Sequence, residues 1–349
     1  MEIVECRYEN PLQILWQLTN ENQKTGQFRG HSDKTWALSP SLLRADKLSR
    51  MVDFDSEGYQ SKNLVEKINH INNKTKFHFD QAMSLFYQTC LERGISMPTV
   101  SDDVHARLTS VQRPITMMGV NRQLSPGTEM REWPIIAMMQ HYGFHTPLLD
   151  WSKNPLVALF FATDEEIEAD GCVWQLNLNA LGFMPVASNV DLDTTNLGDS
   201  DALKQNHDRL LAVSDCGVYF ERPQFSANER LIAQDGWLSF SVFNARNNRG
   251  ALENDFQCAL EAFDLEKIVS RYTRQLQDDN ANPAFRQHIL PWHMKKHVIP
   301  QSMKAGIRDQ LKRYRVDRLS VYPGLSHITE HVRDLLRETQ SHDVSTSYF

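Results

Sequence analysis

The sequence predicts an α+β protein. Two observations predict it: stretches of helical periodicity are concentrated in one polar run over residues 45–130, and short β-type runs such as GQFRGH, CVWQL and LSFSVF lie outside that run, separated by glycine, proline and polar breaks. The chain has 349 residues, enough for about two domains or one large domain carrying insertions. With 41% hydrophobic and 23% charged residues it has the composition of an ordinary folded protein.

Taken in order, Asn10-Pro11 followed by LQILWQLTN predicts a capped amphipathic helix. Proline suits the first helical position, and Ile14, Leu15 and Leu18 share one face. GQFRGH (26–31) follows as a strand or strand end, and WALSPSLLR is expected to return to the surface through Pro40. Residues 45–130 form a helical insertion in which LVEKINHI and FDQAMSLFYQTCLERG have helical spacing, with Gly94 placed as a helix C-cap. IIAMMQHYG ends a further helix at Gly143. Pro147 keeps Thr146–Trp151 extended, Asn154-Pro155 opens an apolar helix, and the acids of DEEIEAD fall in the loop after it, because acids late in a helix oppose its dipole. CVWQL is the next strand, and residues 186–216 read as a long polar excursion. NERLIAQDGWLSFSVF reads as two strands with Asp235-Gly236 at the turn.

Several classes are disfavoured at this level. PLVALFFA (155–162) is the longest clearly apolar run and falls far short of the roughly 18 residues a bilayer span requires. MEIVECRYEN lacks the basic start and apolar core of a secretory signal, so a cytoplasmic location is expected. Five scattered cysteines without a CxxC pair predict reduced thiols rather than a disulfide framework or a zinc site. The formal net charge is −7, yet residues 295–318 carry eight Lys or Arg against two acids, a local balance of +6. That basic C-terminal segment (295–349) is either a phosphate-binding patch or a solvated helix face; Ile307, Leu311 and Tyr314 at helical spacing favour the latter.

Arg29, between Phe28 and Gly30, raises a question of its own. Its fork suits a phosphate or carboxylate, but a surface arginine between turn glycines explains the local sequence equally. Distant stretches bear on the choice. FRG at 28–30, LLDWSKNPLVALFFA at 148–162 and NERLIAQDGWLSFSV at 228–242, together with WALSPSLLR, MMQHYGFHTPLLDW and the segment from His297 to Ile328, resemble the FRG domain family over nearly the whole chain outside the insertion. That family implies association with bacterial toxin and phage-defence loci, and so an antitoxin protein as a partner.

The same three stretches are similar, in order, to the signature strands of arginine-type ADP-ribosyltransferases: aromatic-Arg-Gly, Ser-Thr-Ser running into PxVALxFA, and a glutamate-bearing strand. The resemblance implies a core of two packed β-sheets with a helical insertion and a C-terminal α/β segment, with NAD as substrate and no metal. It implies Arg29 on the phosphate side, Glu229 stabilising the oxocarbenium ion as nicotinamide leaves, Asp150 or Ser152 orienting either, and Gly30 admitting the nicotinamide. Separately, Tyr142 and Trp151 are candidates to stack on the nicotinamide, against the commoner reading of such aromatics as core. Two departures stand out: Asp150 replaces the first serine, and Ala227 stands where arginine-modifying members carry glutamate. The first allows a plain Asp150–Arg29 salt bridge. The second points to a non-arginine protein side chain or a nucleic acid, RNA or DNA, as acceptor. NAD hydrolysis and a non-catalytic nucleotide- or partner-binding module are the alternatives. Gln140-His141 and His145 lack metal-ligand spacing, and Met138-Met139 reads as packing.

Overall fold

The computed structural model describes residues 3–20, 26–110, 132–164, 168–177, 216–221, 229–243, 257–277 and 293–323. The polar excursion before Cys216, Ala227 and the chain beyond residue 323 lie outside the described residues.

Seven strands form one mixed sheet: β1 (Val4–Cys6), β2 (Gly26–His31), β3 (Leu149–Ser152), β4 (Gly171–Asn177), β5 (Cys216–Glu221), β6 (Gly236–Phe243) and β7 (Met294–Ile299), in the order β1-β7-β4-β2-β3-β6-β5. Only β1 and β7 run parallel; every other pair is antiparallel. Where two packed sheets were expected, the described strands are one hydrogen-bonded sheet. Its two halves, however, are joined by a single residue pair. β2 pairs with β4 along its full six residues but meets β3 only at Phe28 opposite Ser152. The sheet is nearly split at that point.

Eleven α-helices are described. α1 (Pro11–Asn20), α7 (Pro155–Thr163) and α10 (Gln301–Arg313) cover one face of the sheet, and Ile14, Leu15, Leu18, Phe28, Val157, Leu159, Ile307 and Leu311 form the core beneath them. On the other face α9 (Leu265–Gln277) packs its Leu265, Ile268 and Val269 against Trp151, Trp174, Phe220 and Trp237. The insertion contains α2 (Ala45–Leu48), α3 (Glu57–Gln60), the 29-residue α4 (Leu64–Glu92) and α5 (Asp102–Thr109). It joins the body through Phe79, Met83 and Tyr87 against Ile135 and Met139 of α6 (Trp133–His141) and Leu238 of β6. The last two helices are short: α8 (Glu229–Ala233) and α11 (Arg318–Val321).

The local signals act as their chemistry requires. Asn10 Oδ1 accepts from the amide of Gln13 at 3.0 Å, and Asn154 Oδ1 from that of Leu156 at 3.0 Å, so both Asn-Pro pairs start helices. Gly94 takes φ +66° after α4, and Gly143 takes φ +86° after α6. α7 ends at Thr163, before the acids that would oppose its dipole.

Four expectations need correction. Leu38, Ser39 and Pro40 are buried rather than surfacing, because the Leu38 carbonyl accepts the Leu265 amide at 3.0 Å and Leu38 joins the core. The basic residues of α10 do not all face water: Lys304 is 3% exposed with Nζ on the Ser32 carbonyl at 2.6 Å, and Arg308 donates to the Thr163 carbonyl. Tyr314, expected on the apolar stripe, is 60% exposed. The segment NERLIA is the helix α8 and not a strand, so the expected hairpin is a helix and turn leading into β6, with Asp235 at φ +45°.

Candidate functional site

A cleft of about 290 Å³ opens where β2 and β3 part. Its floor is Phe28, Arg29, Gly30, Asp150, Trp151 and Ser152; α6 supplies Gln140 and His141, α7 supplies Ala158 and Phe161, and α8 with the following turn supplies Arg230, Leu231 and Gln234. Tyr322, just after α11, closes one wall by meeting Phe160 and Phe161 edge-on.

Arg29 is fixed before any ligand arrives. Nε donates to His31 Nε2 at 3.1 Å and Nη1 to the Asp150 carbonyl at 2.7 Å, so the side chain bridges the two strands just beyond their single pair. The Asp150 carboxylate stands 3.8 Å from Nη1, and the arginine side chain is 16% exposed. Burial lowers its pKa, with Asp150 opposing and Arg44 adding to the fall. Burial first, then the neighbouring Arg29, Arg44 and Lys296, hold His31 well below the ordinary histidine range. His31 is therefore neutral, and its Nε2 can accept the arginine's hydrogen.

Asp150 responds in the opposite direction. The cleft walls remove part of its hydration, although the side chain remains 55% exposed, and this pushes its carboxyl upward against the pull of Arg29 and of the Gln140 amide that donates to Oδ1 at 2.5 Å. Gln140 is itself held by the hydroxyl of Thr146, a fully buried residue. On the far side, Arg230 donates to the His141 carbonyl at 3.3 Å and lies 5.4 Å over the Tyr322 ring. Burial, then Asp164, pushes the Tyr322 hydroxyl up to about 12, so it stays protonated at neutral pH.

Of the residues singled out in the sequence, Arg29, Gly30, Asp150, Trp151 and Ser152 converge on this cleft. Several of their expected roles change. Gly30 is needed by the protein itself: a Cβ there would lie 1.9 Å from the Ala158 carbonyl oxygen and 2.7 Å from the Ala162 nitrogen, so α7 packs directly on β2. The Ser152 hydroxyl is engaged by the backbone, donating towards the Gln234 carbonyl at 2.6 Å and accepting from the Asn154 amide at 2.9 Å. Trp151 directs its indole N–H to Ser239 Oγ at 2.8 Å within the core, away from any stacking partner in the cleft. Tyr142 is 63% exposed and outside the lining, its ring edge-on to His141. Glu229 is also exposed and outside the lining, as the first residue of α8.

The cleft residues missed in the sequence are Arg230, Gln234 and Tyr322, and with them the buried Thr146 behind Gln140. Arg230 follows Glu229 directly, so the same motif carried it, but a strand assignment gave no reason to prefer it.

A family model described as the FRG domain matches residues 102–171. Over that segment the chain is similar to the FRG domain. The matched segment runs from α5 through α6, β3 and α7 to the first residue of β4, and so includes Gln140, Thr146, Asp150 and Ser152. Arg29 and Arg230 lie outside it and complete the cleft around the FRG segment. No curated protein and no solved structure matches the chain.

Proposed function

We propose that the chain binds NAD in the cleft between β2 and β3, cleaves its nicotinamide–ribose bond and transfers ADP-ribose to a macromolecule. The observation that carries this reading is the prepositioned guanidinium of Arg29, lining the same cleft as a second arginine, Arg230, and a carboxylate, Asp150. A dinucleotide presents a pyrophosphate, which rewards paired, rigid donors, and a ribose whose developing positive charge rewards a carboxylate. Arg29 keeps Nη2 and the second Nη1 hydrogen for the ligand, while Arg230 faces it from α8. The acceptor is a nucleic acid or a non-arginine protein side chain, and a role in toxin or phage-defence systems accords with the family.

The position of Glu229 outside the lining favours a second reading, a nucleotide-binding module that does not cleave. One experiment separates the two. Full-length protein is incubated with adenylate-labelled NAD and total cell extract, and label is followed into protein, RNA, DNA and free ADP-ribose. Transfer to a macromolecule supports the proposal, free ADP-ribose alone indicates hydrolysis, and unconverted NAD that nonetheless binds the protein supports the silent module.

A further inference from the structure

We propose that Asp150 is the catalytic base of this site, positioned by a hydrogen-bond relay from Thr146 through Gln140; this rests on the NAD reading above.

The relay has a definite direction. The Leu148 amide donates to Thr146 Oγ1 at 3.3 Å, which leaves the threonine hydroxyl hydrogen for Gln140 Oε1. With its oxygen so engaged, the Gln140 amide must present its NH₂ to Asp150 Oδ1. A backbone N–H thus determines, two side chains away, which atom faces the carboxylate. Thr146 is fully buried, so water does not compete for the first link. Oδ1 is consumed. Oδ2 points towards Arg29 at 3.8 Å, too far for a hydrogen bond, and remains able to accept a proton.

Placement in the cleft lining decides between the two acids. Glu229 has no place in the lining, whereas Asp150 is in the lining with its side chain 55% exposed, so a proton taken in the cleft can pass to water. In the step assigned here, the bond from ribose C1′ to the nicotinamide nitrogen breaks and its electron pair leaves with neutral nicotinamide. An acceptor O–H or N–H attacks C1′, and its proton goes to Asp150 Oδ2 and then to solvent. NAD⁺ and the protonated acceptor give ADP-ribosylated acceptor, nicotinamide and one proton. The base must be ionised, so the rate falls as pH falls through its pKa.

The test follows nicotinamide release and NAD affinity across pH for the full chain and for Asp150→Asn, Glu229→Gln, Thr146→Val and Thr146→Ser. Asp150→Asn is expected to lower kcat by about 10²-fold or more while NAD still binds. Thr146→Val is expected to lower kcat with KM little changed and to move the acid limb to higher pH, since the carboxylate loses a directed donor; Thr146→Ser restores both. Retained release in Asp150→Asn overturns the assignment, as does a loss there confined to KM, which would make Asp150 only an anchor for Arg29. An acid limb abolished by Glu229→Gln but untouched by the Thr146 variants overturns it too. Absence of NAD binding by the unmodified chain overturns the NAD reading and this assignment with it, whereas binding without nicotinamide release refutes the assignment and leaves the silent module.

Discussion

Replacing Gly30 with alanine tests how the cleft floor is built. The added methyl would meet the Ala158 carbonyl oxygen at 1.9 Å, the Ala162 nitrogen at 2.7 Å and the Phe161 Cβ at 2.9 Å. Two of the three are backbone atoms of α7, so no side-chain rotation relieves the clash, and the helix must lift by more than 1 Å from the 1.9 Å contact to reach ordinary van der Waals separation. α7 is buried along most of its length through Val157, Ala158, Leu159, Phe160 and Ala162, and lifting it opens the core it shares with α1 and α10. Overpacking of this kind costs about 1–3 kcal/mol, and the rigid obstacle places Gly30→Ala at about 3 kcal/mol or above, a large share of a typical stability of about 5–15 kcal/mol. Gly58 is the control. A Cβ there meets nothing within 4 Å, and its position in α3 makes alanine neutral or stabilising by up to about 1 kcal/mol. Urea denaturation followed by circular dichroism reads both variants. A Gly30→Ala midpoint equal to that of the unmodified chain would refute the packing argument and return Gly30 to a role in ligand approach.

Ser152→Ala should destabilise by about 1–3 kcal/mol in the same assay, because it strips the Asn154 amide and the Gln234 carbonyl of their partner where β3, α7 and the turn before β6 meet; unchanged stability would leave the hydroxyl free for a ligand. Asp264 makes a prediction with a definite sign. Burial lifts its carboxyl from an ordinary 3.8 to about 6, so its neutral form is favoured in the folded state and the stability it contributes at low pH is lost as pH rises from about 4 to about 6. Asp264→Asn keeps the acceptor that caps α9 at the Glu266 amide and should flatten that stretch of the stability–pH profile, by roughly 3 kcal/mol at most; an unchanged profile would contradict it.

Much of this architecture was legible where local chemistry is self-sufficient. The Asn-Pro starts of α1 and α7 and the left-handed Gly94 depend on neighbours within a few residues. Arg29, Asp150 and Ser152 were legible as a group because a motif resemblance joined stretches that periodicity treats separately. Glu229 was misplaced for a physical reason. Leu231 and Ile232 form an apolar run too short to distinguish helix from strand. Tertiary packing selects the helix: Gly236 lacks the Cβ that would lie 2.6 Å from Leu231 Cδ1 and 3.0 Å from its carbonyl oxygen, so α8 folds back over the start of β6. Lys304 lies three residues before Ile307 and shares its stripe, but a charge at that position reads as solvent-facing until the Ser32 carbonyl appears beside it. The Thr146–Gln140–Asp150 relay joins a helix, a loop and a strand, and no sequence spacing announces it.

The central claim is that Arg29 holds a nucleotide phosphate in the cleft, and titration calorimetry of NAD into the full chain and into Arg29→Lys tests it most directly. Lysine keeps the charge but loses the planar fork, the link to His31 and the bridge to the Asp150 carbonyl. The account predicts one NAD bound per unmodified chain and an affinity at least about tenfold weaker in Arg29→Lys, the loss of roughly one charge-assisted hydrogen bond. No binding to the unmodified chain, or equal affinity in the two proteins, would contradict it.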